Sequence, residues 1–195
     1  MPKSTFDPEA TVNKYFEYVR QLRNGQAEAI DKLVDLWADD GIFEFAGAPP
    51  VTGTYKGKNA IHVLYKNRHA ACGMPLKLTA KAARASAADV ALGVVDTQVH
   101  RMRAVAETRS AKAAKATRSS ARTQRVAAGW TTVIGAADQR GYQVTGNHAF
   151  TFRDGKIAAL KVTVSPKPAE TPGLSLKELK VEDIGKLSLA AWAVV

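Results

Sequence analysis

GYQVTGNHAFTFRDGKIAALKVTV, residues 141–164, decides the fold. It reads as two β-strands joined at Asp154–Gly155, and two registers compete for it. A two-residue turn faces Arg153 with Lys156 and pairs His148 with Lys161. A three-residue loop with a glycine bulge pairs Arg153 with Ile157, Phe150 with Leu160 and His148 with Val162. Side-chain alternation separates the two, because a one-residue slip moves every side chain to the other face. The bulged register gathers His148, Phe150, Phe152, Leu160, Val162 and Val164 on one face. It leaves Ala149, Thr151, Arg153, Ala159, Lys161 and Thr163 on the other. The two-residue register mixes lysine with phenylalanine on both faces, so the bulge is preferred. A histidine then stands on an apolar, inward face, with Tyr142 and Val144 upstream at the same parity. Trp130, Thr132 and Ile134 are expected to line the neighbouring strand.

Upstream, the hydrophobic period is 3.6 rather than 2. Asp7–Pro8 has the form of an N-cap followed by a first-turn proline. Val12, Tyr15, Phe16, Val19 and Leu22 recur at helical spacing, and Asn24–Gly25 stops the run. Ile30, Leu33, Val34 and Trp37 predict a second helix ending in Ala38-Asp39-Asp40-Gly41. IFEF (42–45) is a short strand, and GAPPVTG is a turn-rich break. Ile61, Leu64 and Tyr65 stripe a third helix over Lys58–Arg68. From there the pattern turns β-like in LKLTAKA (76–82), VALGVVDTQV (90–99) and RVAAGWTTVIG (125–135). Helices first and antiparallel strands afterwards predict an α+β fold with the helices on one face of the sheet.

The net charge of +10 is concentrated. Eight basic residues, from Arg101 to Arg125, stand against Glu107 alone, so residues 100–125 hold seven of those ten charges. The segment 100–124 interrupts two strands that would otherwise form a hairpin. It is compatible with a helix carrying a basic stripe (Lys115, Arg118, Arg122, Arg125) or with a loop. It lacks the interleaved aromatics and reader motifs of nucleic-acid-binding chains, so a solvated protrusion or an arm docking on an acidic subunit surface is expected. SPKPAETPG (165–173) reads as a linker leading to a tail, helical from about Val181, whose Ile184, Leu187, Ala191 and Trp192 need burial. The organisation expected is one pocket domain over 1–165, the basic insertion at about 100–124, and the linker and tail over 166–195.

Several classes are disfavoured. No run approaches the ~20 apolar residues of a membrane span, and the N-terminus has no apolar signal region. Cys72 is the only cysteine, which excludes an internal disulfide and fits a cytoplasmic location. Its bland reading, a semi-buried residue at a helix end, outweighs a nucleophile. No ligand spacing suggests a metal, no glycine-rich phosphate loop is present, and no cofactor is expected.

LVDLWADDGIFEF (33–45), PPVTGTYKGKNAIHVLY (49–65) and HAFTFRDGKIAAL (148–160), in that order, resemble the nuclear-transport-factor-2-like superfamily. It includes ketosteroid isomerases, SnoaL-type polyketide cyclases and scytalone dehydratase. The resemblance covers about residues 8–165 apart from the basic insertion. It implies a cone: three N-terminal helices packed on a curved antiparallel sheet, enclosing an apolar pocket for a small apolar molecule, with homodimers through the outer sheet face. Tyr18 matches the first-helix tyrosine that serves ketosteroid isomerases as an oxyanion donor. Phe45 stands nearest to their aspartate base, and His148 stands where relatives keep an acid. Both are departures, and the first removes the usual proton-abstracting group.

The candidate site follows from this. His148 is the candidate general acid/base, because histidine ordinarily titrates near working pH. Tyr18 is the hydrogen-bond donor. Asp96 shares parity with Val90, Leu92 and Val94 and is the orienting or second titrating group. Trp37, Phe43, Phe45, Trp130, Tyr142, Phe150 and Val162 are the expected pocket walls. His62, His69 and His100 are expected at the surface. The function this suggests is cofactor-independent proton transfer (isomerisation, cyclisation or dehydration) on an apolar substrate. The rival is a non-enzymatic binding or assembly module.

Overall fold

The computed structural model describes residues 6–46, 52–72, 93–105, 123–135 and 141–164. Helix α1 spans Pro8–Arg23. It starts where the sequence predicts, since the Asp7 carboxylate accepts from the Glu9 and Ala10 amides at 2.9 and 3.1 Å and Pro8 occupies the first turn. It stops at Asn24, whose amide donates to the Arg20 carbonyl. Val12, Tyr15, Val19 and Leu22 form its buried stripe.

Helix α2 is short, Ala29–Asp35, and corrects the sequence reading. The apolar period runs on to Trp37, but Trp37 opens strand β1, Trp37–Ala46. The Ala38-Asp39-Asp40-Gly41 stretch is an irregularity within that strand rather than a helix end. Its acids are surface charges: Asp39 lies 3.6 Å from Lys58, and Asp40 pairs with Arg153. Strand β2 is Gly53–Lys56, and helix α3 is Lys58–Cys72.

Among the described residues four more strands follow: β3 (Gly93–Val105), β4 (Gln124–Gly135), β5 (Gly141–Arg153) and β6 (Lys156–Val164). They form one six-stranded sheet in the order β2-β1-β6-β5-β4-β3. Neighbours run antiparallel except β1 and β6, which are parallel. The hairpin succession β3–β6 delivers its last strand beside β1 in the same direction, a pairing that no local pattern shows. The described parts of the basic segment are strand: β3 continues to Val105 and β4 begins at Gln124. The insertion therefore belongs to the far end of the β3–β4 hairpin; residues 106–122 lie outside the described residues, as do the strand read at 76–82 and the tail after Val164.

The deciding hairpin uses both devices that the sequence presents as alternatives. Asp154 and Gly155 have φ of 51° and 77° and close a two-residue turn facing Arg153 with Lys156. Phe152 pairs with Ile157, and then Ala158 is inserted, so that Thr151 meets Ala159, Phe150 meets Leu160 and His148 meets Val162. The Arg153–Ile157 pairing is thus corrected, while the deeper register is as expected. The bulge lies in β6, away from the turn, and switches its buried parity from Ile157 to Leu160 and Val162. The core sits between this inward face and the helices. It joins Tyr15, Leu33, Trp37, Phe43, Phe45, Ile61, Tyr65, Trp130, Phe150 and Val162 in one cluster.

Candidate functional site

His148 is fully buried at the centre of β5. Strand alternation points it inward between Phe150 and the backbone of Gly146. Among the described residues, four aromatic rings pack around its imidazole. Phe16 lies at 5.0 Å edge-on, Tyr15 at 5.7 Å edge-on, Phe150 at 5.8 Å stacked and Trp130 at 6.1 Å edge-on, measured between ring centroids. Edge and offset contacts of this kind add about 0.5–1.5 kcal/mol each beyond the area they bury, so the ring is held firmly.

Tyr15 leads from the histidine to a second polar group. The Tyr65 hydroxyl donates to the Tyr15 hydroxyl at 3.3 Å, a contact made by α1 and α3 deep in the core. Arg68, one turn beyond Tyr65, is 1% exposed, and its guanidinium carbon lies 5.6 Å from the Tyr65 ring centroid. Burial pushes the Tyr15 hydroxyl above the usual phenol range, opposed by the Arg68 charge and by hydrogen bonds from Tyr65 and Arg68. Tyr65 is raised well above that range, first by burial and then by Tyr15, with Arg68 again opposing. Both phenols are therefore neutral at physiological pH and act as donors, beside a fixed positive charge. Taken together, the site offers a titratable imidazole, neutral hydroxyl donors and a guanidinium in an environment that excludes water.

The sequence-predicted residues divide. Trp37, Phe43, Phe45, Trp130, Phe150 and Val162 are all buried in the central cluster, and His148 is buried against it. Tyr18 is half-buried and packs on the edge of that cluster, whereas the tyrosine whose ring meets His148 is Tyr15, one turn earlier. For Asp96 the parity argument does not carry through the strand. Val94 pairs with Ile134, but Asp96 pairs with Val133 after a bulge. Over residues 124–132 of β4 the buried positions are Val126, Ala128, Trp130 and Thr132, and Asp96 pairs in the register of the alternate set. Tyr142 pairs with Ile134 through the backbone. His62 is partly exposed, 3.5 Å from Asp31. His69 is half-buried, not a free surface residue, because its Nδ1 sits 3.1 Å from the Leu22 carbonyl at the end of α1. Cys72 is the last residue of α3.

Sequence reasoning did not assign roles to Tyr15, Phe16, Tyr65 or Arg68. The signal was present for the last: Arg68 falls at i+3, i+4 and i+7 from Tyr65, Leu64 and Ile61, which puts a charge on the buried stripe of α3. Among the described residues no group of three His, Cys, Asp or Glu side chains forms a metal site. No described helix is long and apolar enough to cross a membrane.

No protein-family model matches this sequence, and no curated protein matches it. Solved structures with a similar fold include a ketosteroid isomerase-like protein from Erwinia carotovora, at 12% identity and TM-score 0.48, covering 84% of this chain and 98% of that one. Another is the β subunit of the benzoate 1,2-dioxygenase of Burkholderia mallei, at 13% identity and TM-score 0.47, covering 83% and 93%. A third is a nuclear-transport-factor-2-like protein from Burkholderia xenovorans, at 14% identity and TM-score 0.45, with the same coverage of 83% and 93%.

Proposed function

We propose that this protein binds a small, mostly apolar molecule between its helices and the inward sheet face, and moves a proton on it without a cofactor. Isomerisation, cyclisation and dehydration are the reactions this covers. The observation that carries the reading is His148: a fully buried titratable ring, enclosed by aromatic side chains, at a position where the superfamily resembled in sequence keeps an acid. His148 is the general acid/base. Tyr15, held by Tyr65 and close to Arg68, is the hydroxyl donor that stabilises developing negative charge. Tyr18 serves at the margin of the site, and Asp96, out of register with the buried face of β4, has no part in it.

The proposal extends to a homodimer through the outer sheet face, in the cytoplasm. A groove of about 350 Å³ on that face, bordered by Ile42, Glu44, Arg125, Ala149, Thr151 and Lys161, supports it. Ile42, 38% exposed, is an apolar residue such a contact would cover.

The test follows proton exchange. Small apolar ketones are screened for binding, and exchange of their α-protons in D2O is followed by NMR with wild type and His148→Gln. Wild type accelerates exchange, and the substitution lowers the rate by about 10²–10⁴-fold, the usual worth of a general acid/base. Exchange that survives the substitution removes His148 from the chemistry.

A second reading, a non-enzymatic binding or assembly module, is favoured by one observation. Phe43, Phe45 and Trp130 fill the core at 0–2% exposure, and Phe45 stands where the isomerases keep their base. Binding without any exchange in wild type selects this reading.

A further inference from the structure

Among the described residues two tryptophans, Trp37 and Trp130, lie in the core, and their N–H groups differ. The Trp37 indole faces the Tyr65 hydroxyl, although too loosely for a hydrogen bond of normal geometry. The Trp130 indole Nε1 is buried and has no hydrogen-bond partner. Trp130 is 1% exposed and stands on the inward face of β4, with its ring centroid 6.1 Å from that of His148. Its orientation is built in. Trp130 pairs with Gly146 across β4 and β5, and a Cβ on Gly146 would fall 2.2 Å from indole Cζ2 and 2.5 Å from Cε2. The indole therefore lies over bare backbone, with the nitrogen adjoining Cε2 held in place.

A buried donor without an acceptor is costly and rare, and in a native protein it calls for an explanation. Folding alone does not supply one, since phenylalanine would fill an aromatic position on this face without a polar atom. The indole is a donor only, uncharged at all pH. The group it awaits is therefore an acceptor and need not be an anion. We propose that the Trp130 N–H is a ligand-binding group that donates a hydrogen bond to an oxygen of the bound molecule, a carbonyl or ether, beside His148, and so selects oxygen-bearing apolar ligands over hydrocarbons. This rests on the pocket reading above and adds a specificity determinant to it.

Two measurements on the full-length protein test it. Trp130 is replaced with 3-benzothienylalanine, which keeps the shape of indole and puts sulfur in place of N–H; Trp130→Phe is the genetically simple companion. The first measurement is thermal unfolding without ligand. The sulfur variant unfolds at the same temperature as wild type or higher. A drop of several degrees overturns the proposal, because it means that protein or an ordered water already satisfies the donor.

The second measurement is calorimetric binding of a matched probe pair, 1-tetralone and tetralin. Wild type prefers the ketone by about tenfold, the usual worth of one hydrogen bond to a buried donor. The preference falls below about twofold in both Trp130 variants. Binding of both probes with the preference unchanged in the variants overturns the role of Trp130 and leaves the pocket reading standing. Failure of wild type to bind either probe overturns both.

Discussion

Gly146→Ala is the sharpest test of the packing around the site. The added methyl would sit 2.2 Å from Trp130 Cζ2 and 2.4 Å from the Thr163 carbonyl oxygen. Ordinary carbon contacts lie at about 3.5–4.0 Å, so the indole contact is short by about 1.3 Å. Neither neighbour yields easily. The carbonyl belongs to the backbone of β6, beside β5, and the indole is wedged in the core beside His148. Overpacking of this kind costs about 1–3 kcal/mol and occasionally more, and the backbone clash places this case at the upper end. Replacing glycine within a strand returns roughly 0.5–1 kcal/mol of chain entropy, which leaves a net loss of about 2–3 kcal/mol. For a chain of this size that is a fall of about 5–10 °C in Tm. Circular dichroism melts of wild type, Gly146→Ala, Trp130→Leu and the double variant measure it. If the reasoning holds, the double variant is more stable than the two single losses added together, with a coupling of about 1 kcal/mol or more. A Gly146→Ala protein as stable as wild type, or strict additivity in the cycle, refutes the clash.

Three further outcomes are expected. Tyr15 and Tyr65 hold their protons more tightly folded than unfolded, so they leave stability untouched below pH ~10 and reduce it above, by roughly 1.4 kcal/mol per pH unit for each. Urea titrations between pH 8 and 11.5 read this slope, and Tyr65→Phe halves it; Arg68→Leu, which removes the charge opposing both shifts, delays phenolate absorbance at 295 nm to higher pH. Asp7→Ala removes the cap of α1 and costs about 1 kcal/mol in chemical unfolding, with Asp7→Asn close to neutral. Asp154→Val places a branched side chain at φ 51° and costs about 1–2 kcal/mol, whereas Asp154→Asn leaves the melt unchanged.

The apolar stripe of β5 and β6 was legible in the sequence, because alternation is a property of the chain itself. A buried face with His148, Phe150 and Phe152 against Leu160 and Val162 follows from period 2 alone. The α1 stripe and its caps are equally local, since the N-cap and the stop each act within one turn. What depended on position across the fold was not legible. The Ala158 and β3 bulges each insert one residue, and one residue reverses the parity of everything beyond it. Extrapolating from Val94 to Asp96 therefore failed, while the register deeper in the hairpin survived a misplaced bulge. Trp37 fits the α2 period and yet belongs to β1, because a helical stripe and a buried strand start share one apolar residue and only packing chooses between them.

Sequence alone determined that helices precede the strands of the sheet's main hairpins, the inward face of the final hairpin and the presence of a histidine on it. Tertiary structure decided the parallel β1–β6 pairing and the tyrosine that meets that histidine. It also joined Tyr15 to Tyr65 and Arg68 across fifty residues of chain. Periodicity records which side of an element is buried. The rotation of one helix against another, and so the partner each buried hydroxyl finds, is set by how the side chains of both fill the space between them.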